Sequence, residues 1–267
     1  MPGIGTPMLE FSGVELSVAG VRALDGVTFQ VRPAELFAIV GPDGSGKTSV
    51  IDVASGARRP HRGGVVFLGR DVLTRGPDEI AAMGMARIPA EEGLFGNLTV
   101  LDNLALGRLR HFRYGVLSAI LWLGRARSRE PAVHARAEDT IDLLGLAAWR
   151  EHPVRLLPYG VRRRVELGRA LATEPRMLLL DDPTAGLNRE ETDDLARFVQ
   201  RVRDELGVAV VLADHDIGPL TGLADRVLAL DSGRRVALGT PSQVRRDPRV
   251  LRAYLAEAGR RGGGRSN

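Results

Sequence analysis

Leu36-Phe37-Ala38-Ile39-Val40 runs without a break into Gly41-Pro42-Asp43-Gly44-Ser45-Gly46-Lys47-Thr48, and the reading of the whole chain turns on this junction. Five apolar residues in a row suit a short, fully buried strand. The eight that follow fit G-x-x-x-x-G-K-[ST], and a helix is expected after them. Each residue type has a chemical reason. Glycines let backbone N–H groups turn inward around phosphate oxygens, at the positive end of the following helix. Lys47 offers a compact ammonium to β- and γ-phosphates, and Thr48 a hydroxyl ligand for Mg²⁺.

Composition supports this junction rather than competing with it. The chain has 267 residues, 44% hydrophobic and 26% charged, the make-up of a globular protein with a sizeable core. It has no cysteine, which excludes disulfides, zinc–cysteine sites and thiol nucleophiles. Lys47 is the only lysine, so the other 36 of the 37 basic residues are arginines. A sequence pI near 10.2 therefore reflects arginine usage, since net charge at pH 7 is only +4. Two segments carry the excess: +6 over Arg108–Arg136 and +5 over Val244–Arg265, leaving −7 for the rest. No apolar run reaches the roughly 20 residues of a membrane span, and no signal-peptide pattern opens the chain. A cytoplasmic protein, peripheral where a membrane partner holds it, is expected.

Outward from the junction, short apolar runs at Met8–Phe11, Val14–Val18, Val27–Val31 and Leu36–Val40 predict a strand meander. Beyond Val40, Val65–Leu68, Ala86–Ile88, Met177–Leu180, Val208–Leu212 and Arg226–Leu230 read as buried strands alternating with helices. Asn188 should cap a helix over Arg189–Glu205. The stretch from Gly93 to Ala172 breaks the alternation. It predicts helices opened at Thr99–Asp102 and running through Leu109, then over Ala132–Leu144 and Tyr159–Thr173. Between them, the apolar run Tyr114–Leu123 is flanked by arginines and suits either a core helix or a membrane-facing surface.

Met177-Leu178-Leu179-Leu180 ends in Asp181-Asp182-Pro183. An acid at the carboxyl end of a strand beside a phosphate loop is placed to hold Mg²⁺; a strand followed by a capped turn reads equally well in isolation. His215, after Val208–Leu212, suits a γ-phosphate sensor or a polar strand exit.

Together, Gly41–Thr48, Leu157-Pro158-Tyr159-Gly160, Leu178–Pro183, Ala185–Asn188 and His215 resemble, in order and spacing, the ATP-binding cassette (ABC) ATPases. They look like the Walker A loop, signature loop, Walker B strand, D-loop and switch histidine of that family. Arg162-Arg163, Glu166 and the ending Arg252–Glu257 most resemble the ATPases of branched-chain amino-acid importers, with lipopolysaccharide-exporter ATPases second. The resemblance implies an α/β P-loop NTPase core with an N-terminal antiparallel β-subdomain and an inserted α-helical subdomain. It sets boundaries at 8–92 and 173–258 for the core, 93–172 for the helical part with the signature loop, and 259–267 for a disordered tail. It implies ATP and Mg²⁺ as cofactors, with Gly41, Asp43, Gly44, Ser45, Gly46, Lys47, Thr48 and Ser49 around the nucleotide. Thr48 and Asp181 would serve the metal, and Asp182 and His215 catalysis. Gly160 would serve the nucleotide of a second ATPase subunit in a head-to-tail dimer. Transmembrane permease subunits, and indirectly a substrate-binding protein, are the implied partners, and nucleic acid is not.

Four positions depart from the family pattern. Asp182 stands for the glutamate that polarises water, Ala90 for the lid glutamine, Val18 for the aromatic stacked on adenine, and Val161 for the last residue of the signature. None touches the phosphate cradle, so nucleotide binding with slow hydrolysis is expected. Two other classes compete: a soluble ABC protein of ribosomes or DNA, disfavoured by one cassette and no cysteine, and a non-catalytic nucleotide-binding regulator.

Overall fold

The computed structural model describes residues 6–90, 93–108, 137–215 and 217–263. Two compact units divide the chain, one of residues 1–90 and 176–267, the other of residues 91–175.

In the first unit, β1 (Leu9–Val18) pairs antiparallel with β2 (Val21–Val31), and the strand β3 (Leu36–Val40) then leaves for a second sheet. β4 (Arg62–Phe67) and β5 (Arg70–Asp71) complete a four-stranded antiparallel sheet in the order β2-β1-β4-β5. β6 (Met85–Ile88), β7 (Met177–Asp181), β8 (Ala209–Asp214), β9 (Arg226–Asp231) and β10 (Arg234–Gly239) join β3 in the order β10-β9-β3-β8-β7-β6. Only the edge pair β10–β9 is antiparallel. All residues of β3, β7 and β8 are buried, which is why these segments read as unbroken apolar runs. The core fills the space between the sheets: Phe29 of β2 stacks on Phe11 of β1 at 4.6 Å and on Phe37 of β3 at 5.3 Å.

The second unit holds helices over Val100–Arg108, residues 137–143 and Tyr159–Leu171. Gly168 lets two of them close in, since a Cβ there would lie 3.0 Å from a Leu144 methyl and 3.3 Å from one of Leu104. Buried Asn103 supports the preceding loop, donating to the carbonyls of Phe95 and Thr99 and accepting from Phe95 N–H. The reciprocal bonds between Thr99 and Asp102 are those the sequence predicted for this helix start.

Several expectations are corrected. Met8–Phe11 and Val14–Val18 form one strand, because a bulge between Phe11 and Val14 absorbs Ser12 and Gly13 without ending the pairing. Leu36–Val40 does not close the meander; it sits inside the parallel sheet between β8 and β9. Val65–Leu68 belongs to the antiparallel sheet instead of the alternating one. The helix starting at Pro248 runs to Gly263, into the stretch expected as tail from residue 259, because its glycine run begins only at Gly262. Arg110–Ala135, including Tyr114–Leu123, and Leu109 and Arg136 at its ends, lie outside the described residues, as do Glu91 and Glu92.

Candidate functional site

The carboxyl ends of three neighbouring strands come together. Val40 pairs with Asp214, and Asp181 with Ala213, so the loop after β3, Asp181 at the end of β7 with Asp182 after it, and His215 after β8 lie at one edge of the sheet. Open parallel sheets bind ligands at that edge.

The loop needs glycine twice. At Gly41 a Cβ would sit 2.2 Å from the Leu230 carbonyl oxygen; at Gly46, with φ 104°, it would sit 2.5 Å from that of Ala23. Gly46 is also the N-cap of α1 (Lys47–Ala54), whose first amides have no side-chain cap. Lys47 folds back over the loop, its Nζ donating to the carbonyls of Gly41 at 2.7 Å and Pro42 at 2.9 Å. Ser45 is buried, and its Oγ has no hydrogen-bond partner among the described residues. A buried hydroxyl without a partner among the described residues, beside a helix N-terminus with no side-chain cap, fits a bound oxyanion. Asp43 and Gly44 are exposed on the loop, and Ser49 is half-buried on α1.

Thr48 Oγ1 donates to Asp181 Oδ1 at 3.0 Å, and the Asp181 side chain is only 5% exposed. A hydroxyl and a carboxylate in contact form a hard-oxygen donor pair of the sort Mg²⁺ takes. Asp181 Oδ2 accepts from Arg87 of β6 at 3.1 Å, and Arg87 also pairs with Asp52 of α1 at 2.7 Å. Asp182 has the left-handed backbone angle φ 47°, tolerated by aspartate more readily than by most residues, and its N–H donates to Ala213 O at 2.8 Å. Its carboxylate lies 3.4 Å from His215 Nδ1, which is 3.1 Å from Asp214 Oδ1. Burial pushes the Asp214 carboxyl above its usual range, opposed by the hydrogen bond from Thr184 Oγ1 at 2.7 Å and by His215.

These residues all belong to the first unit. Gly160 belongs to the second, buried in the first turn of the Tyr159–Leu171 helix, whose N-terminus has no side-chain cap. Val161 beside it is buried, and Val18 ends β1 half-buried. Asp214, Thr184 and Arg87 were not singled out from sequence. For Asp214 and Arg87 the available signal was a charge within or closing a buried strand, which requires a partner.

A P-loop at a parallel-sheet edge, with strand-end acids and a histidine beside it, defines a nucleotide-binding cassette. Residues 24–185 match the family model of the ABC transporter. Residues 234–255 match that of the branched-chain amino acid ATP-binding cassette transporter. The chain is 33% identical over 253 residues to the high-affinity branched-chain amino acid transport ATP-binding protein LivG of Escherichia coli, covering 94% of this chain and 99% of that one. It is 32% identical over 252 residues to BraF of Pseudomonas aeruginosa, a protein of the same description, with the same coverage. A crystal structure of the ADP conformation of an ABC-transporter cassette superposes with TM-score 0.82 at 26% identity, covering 94% and 99% of the two chains. A nucleotide-free cassette superposes at 0.80 with 26% identity, covering 93% and 99%. The chain belongs to the ABC transporter ATP-binding family. It is an ATP-binding motor subunit, an ATPase coupled to transport. Among the described residues, no helix is long and apolar enough to cross a membrane.

Proposed function

We propose that this subunit drives the import of branched-chain amino acids or related small solutes. The match of residues 234–255 to the branched-chain model carries that reading, since the P-loop is common to cassettes of every substrate. Its partners are transmembrane permease subunits and a second ATPase subunit, with a substrate-binding protein acting through the permease. That arrangement holds it at the inner face of the membrane. Residues 8–92 and 173–258 form the nucleotide-binding core, and 93–172 the helical part with the signature loop.

In this reading Gly41, Asp43, Gly44, Ser45, Gly46 and Ser49 surround the ATP phosphates. Lys47 exchanges its two loop carbonyls for β- and γ-phosphate oxygens. Thr48 and Asp181 hold Mg²⁺, which offsets phosphate charge when bound. Asp182 orients the attacking water, and His215, steadied by Asp214, faces the γ-phosphate. Gly160 presents helix amides to the nucleotide of the partner subunit. The observation behind these roles is the Thr48–Asp181 contact, which brings loop and strand acid together across 133 residues of chain.

The test is reconstitution of the subunit with its permease and binding protein in liposomes. ATP turnover stimulated by leucine, isoleucine or valine, and not by a sugar or by sulfate, is the expected result. Stimulation by a chemically unrelated solute alone would overturn the substrate assignment.

A further inference from the structure

Arg87 is the third residue of β6, opposite Leu179 of β7. A charge in so apolar a strand is held by partners. Its guanidinium lies between two carboxylates, Asp52 Oδ1 of α1 at 2.7 Å and Asp181 Oδ2 of β7 at 3.1 Å, with Ser55 Oγ at 3.4 Å. Asp52 has a second cation of its own, since Arg58 Nε binds its other oxygen at 2.9 Å. Asp181 is divided as well: Oδ1 faces Thr48 and Oδ2 faces Arg87. A nearly buried carboxylate thus has one oxygen turned toward the phosphate loop and the other committed to a guanidinium.

From this division we infer that Arg87 is a specificity-determining residue of the cation site, limiting Asp181 to one-oxygen ligation and so favouring Mg²⁺ over Ca²⁺. The inference rests on the reading of Thr48 and Asp181 as cation ligands. For both Asp181 oxygens to reach one ion, the carboxylate has to turn and break the Oδ2 bond to Arg87. The guanidinium meets its other acceptors, Asp52 and Ser55, through Nη1, and its Nε is buried without a partner among the described residues. Giving up the Asp181 bond would break a charge-assisted hydrogen bond to a carboxylate that is only 5% exposed, which is costly. Mg²⁺ takes six ligands in near-octahedral geometry, keeps several waters and is satisfied by one or two carboxylate oxygens. Ca²⁺ takes six to eight oxygens and often binds a carboxylate through both. The clamp therefore penalises the larger ion. Repulsion between Arg87 and a divalent ion is similar for both ions and largely cancels in their ratio, so the ratio is the quantity to measure.

ATP affinity of the full chain is measured by calorimetry in EDTA, in Mg²⁺ and in Ca²⁺, for wild type, Arg87→Gln, Arg87→Lys and Asp52→Asn. Arg87→Gln is expected to raise Ca²⁺-supported relative to Mg²⁺-supported affinity by about tenfold. Arg87→Lys, whose ammonium serves one carboxylate at a time, is expected to shift the ratio in the same direction by about threefold. It also keeps the test decisive if Arg87→Gln does not fold. Asp52→Asn keeps the Arg87–Asp181 pair and should leave the ratio within about twofold of wild type. A ratio unchanged in both Arg87 variants, whatever their stability, would reduce Arg87 to a staple between β6, β7 and α1. A wild-type affinity as high in EDTA as in Mg²⁺ would instead overturn the cation site itself.

Discussion

Asp182 illustrates how one methylene acquires consequence. Its backbone is pinned by the bond to Ala213 O at 2.8 Å and by a left-handed φ of 47°, so the main chain has little freedom to carry a short side chain forward. A base must come within about 2.6–3.2 Å of its water, and a shortfall of one C–C bond costs about a hundredfold. Asp182→Glu is therefore expected to hydrolyse ATP at least about tenfold faster at saturating ATP, a barrier difference of about 1.4 kcal/mol, once the partner subunit's catalytic acid is silenced. Equal single-site rates would mean that Asp182 already positions the water. The loop glycines, Lys47 and Thr48 could be named from local spacing, and Asp181, Asp182 and His215 from the resemblance of the whole motif series to the ABC ATPases. Asp214 and Arg87 could not, since their roles come from strands far apart in the chain: Arg87 meets Asp181 across 94 residues, and Thr184 meets Asp214 across 30.

Among the elements, ends were easier to read than edges. Asn188 caps the Arg189–Leu206 helix through Glu191 N–H at 3.0 Å, and Glu191 returns a bond to Asn188 N–H at 3.0 Å, completing the box. Asn188→Ala should cost about 1 kcal/mol in denaturant unfolding, and Asn188→Gly a few tenths. A negligible loss for alanine would show that the cap is not holding the helix. The C-terminal helix carries a pH signature at its start. Arg249 donates to both Asp247 oxygens through its side chain and to Oδ1 through its backbone N–H, lowering the carboxyl to about 2 from 3.8. Because the folded value is lowered, the stabilisation is complete above the unfolded pKa and is lost as pH falls from about 4 through about 2. A ¹³C titration of the Asp247 carboxyl should show a midpoint near 2; one near 4 would deny the bond in solution. β10 escaped the sequence reading because its apolar run is only three residues, Val236-Ala237-Leu238, and all six positions are half-buried or exposed on a sheet edge. The bulge at Ser12-Gly13 split β1 in two for the same kind of reason, an interruption of alternation that long-range pairing overrides.

At the scale of the molecule, the parallel sheet was legible from its buried runs, and its strand order was not. Apolar strands of similar composition look alike, and only pairing decides that β3 lies between β8 and β9. That central place sets the Gly41–Thr48 loop against two acidic strand ends and makes the chain a nucleotide-driven motor. Lys47 supplies the loop's only ammonium, and its Nζ donates to two loop carbonyls that water can serve in its absence. Lys47→Ala should therefore fold with unchanged circular dichroism. The most direct measurement is calorimetric titration of the wild-type chain and Lys47→Ala with ATP in excess Mg²⁺. The wild type is expected to bind with micromolar affinity, and the folded variant about a hundredfold more weakly, a loss of roughly 2.7 kcal/mol. Micromolar binding retained by Lys47→Ala, or no binding by the wild type, would contradict the assignment of this loop as the nucleotide site.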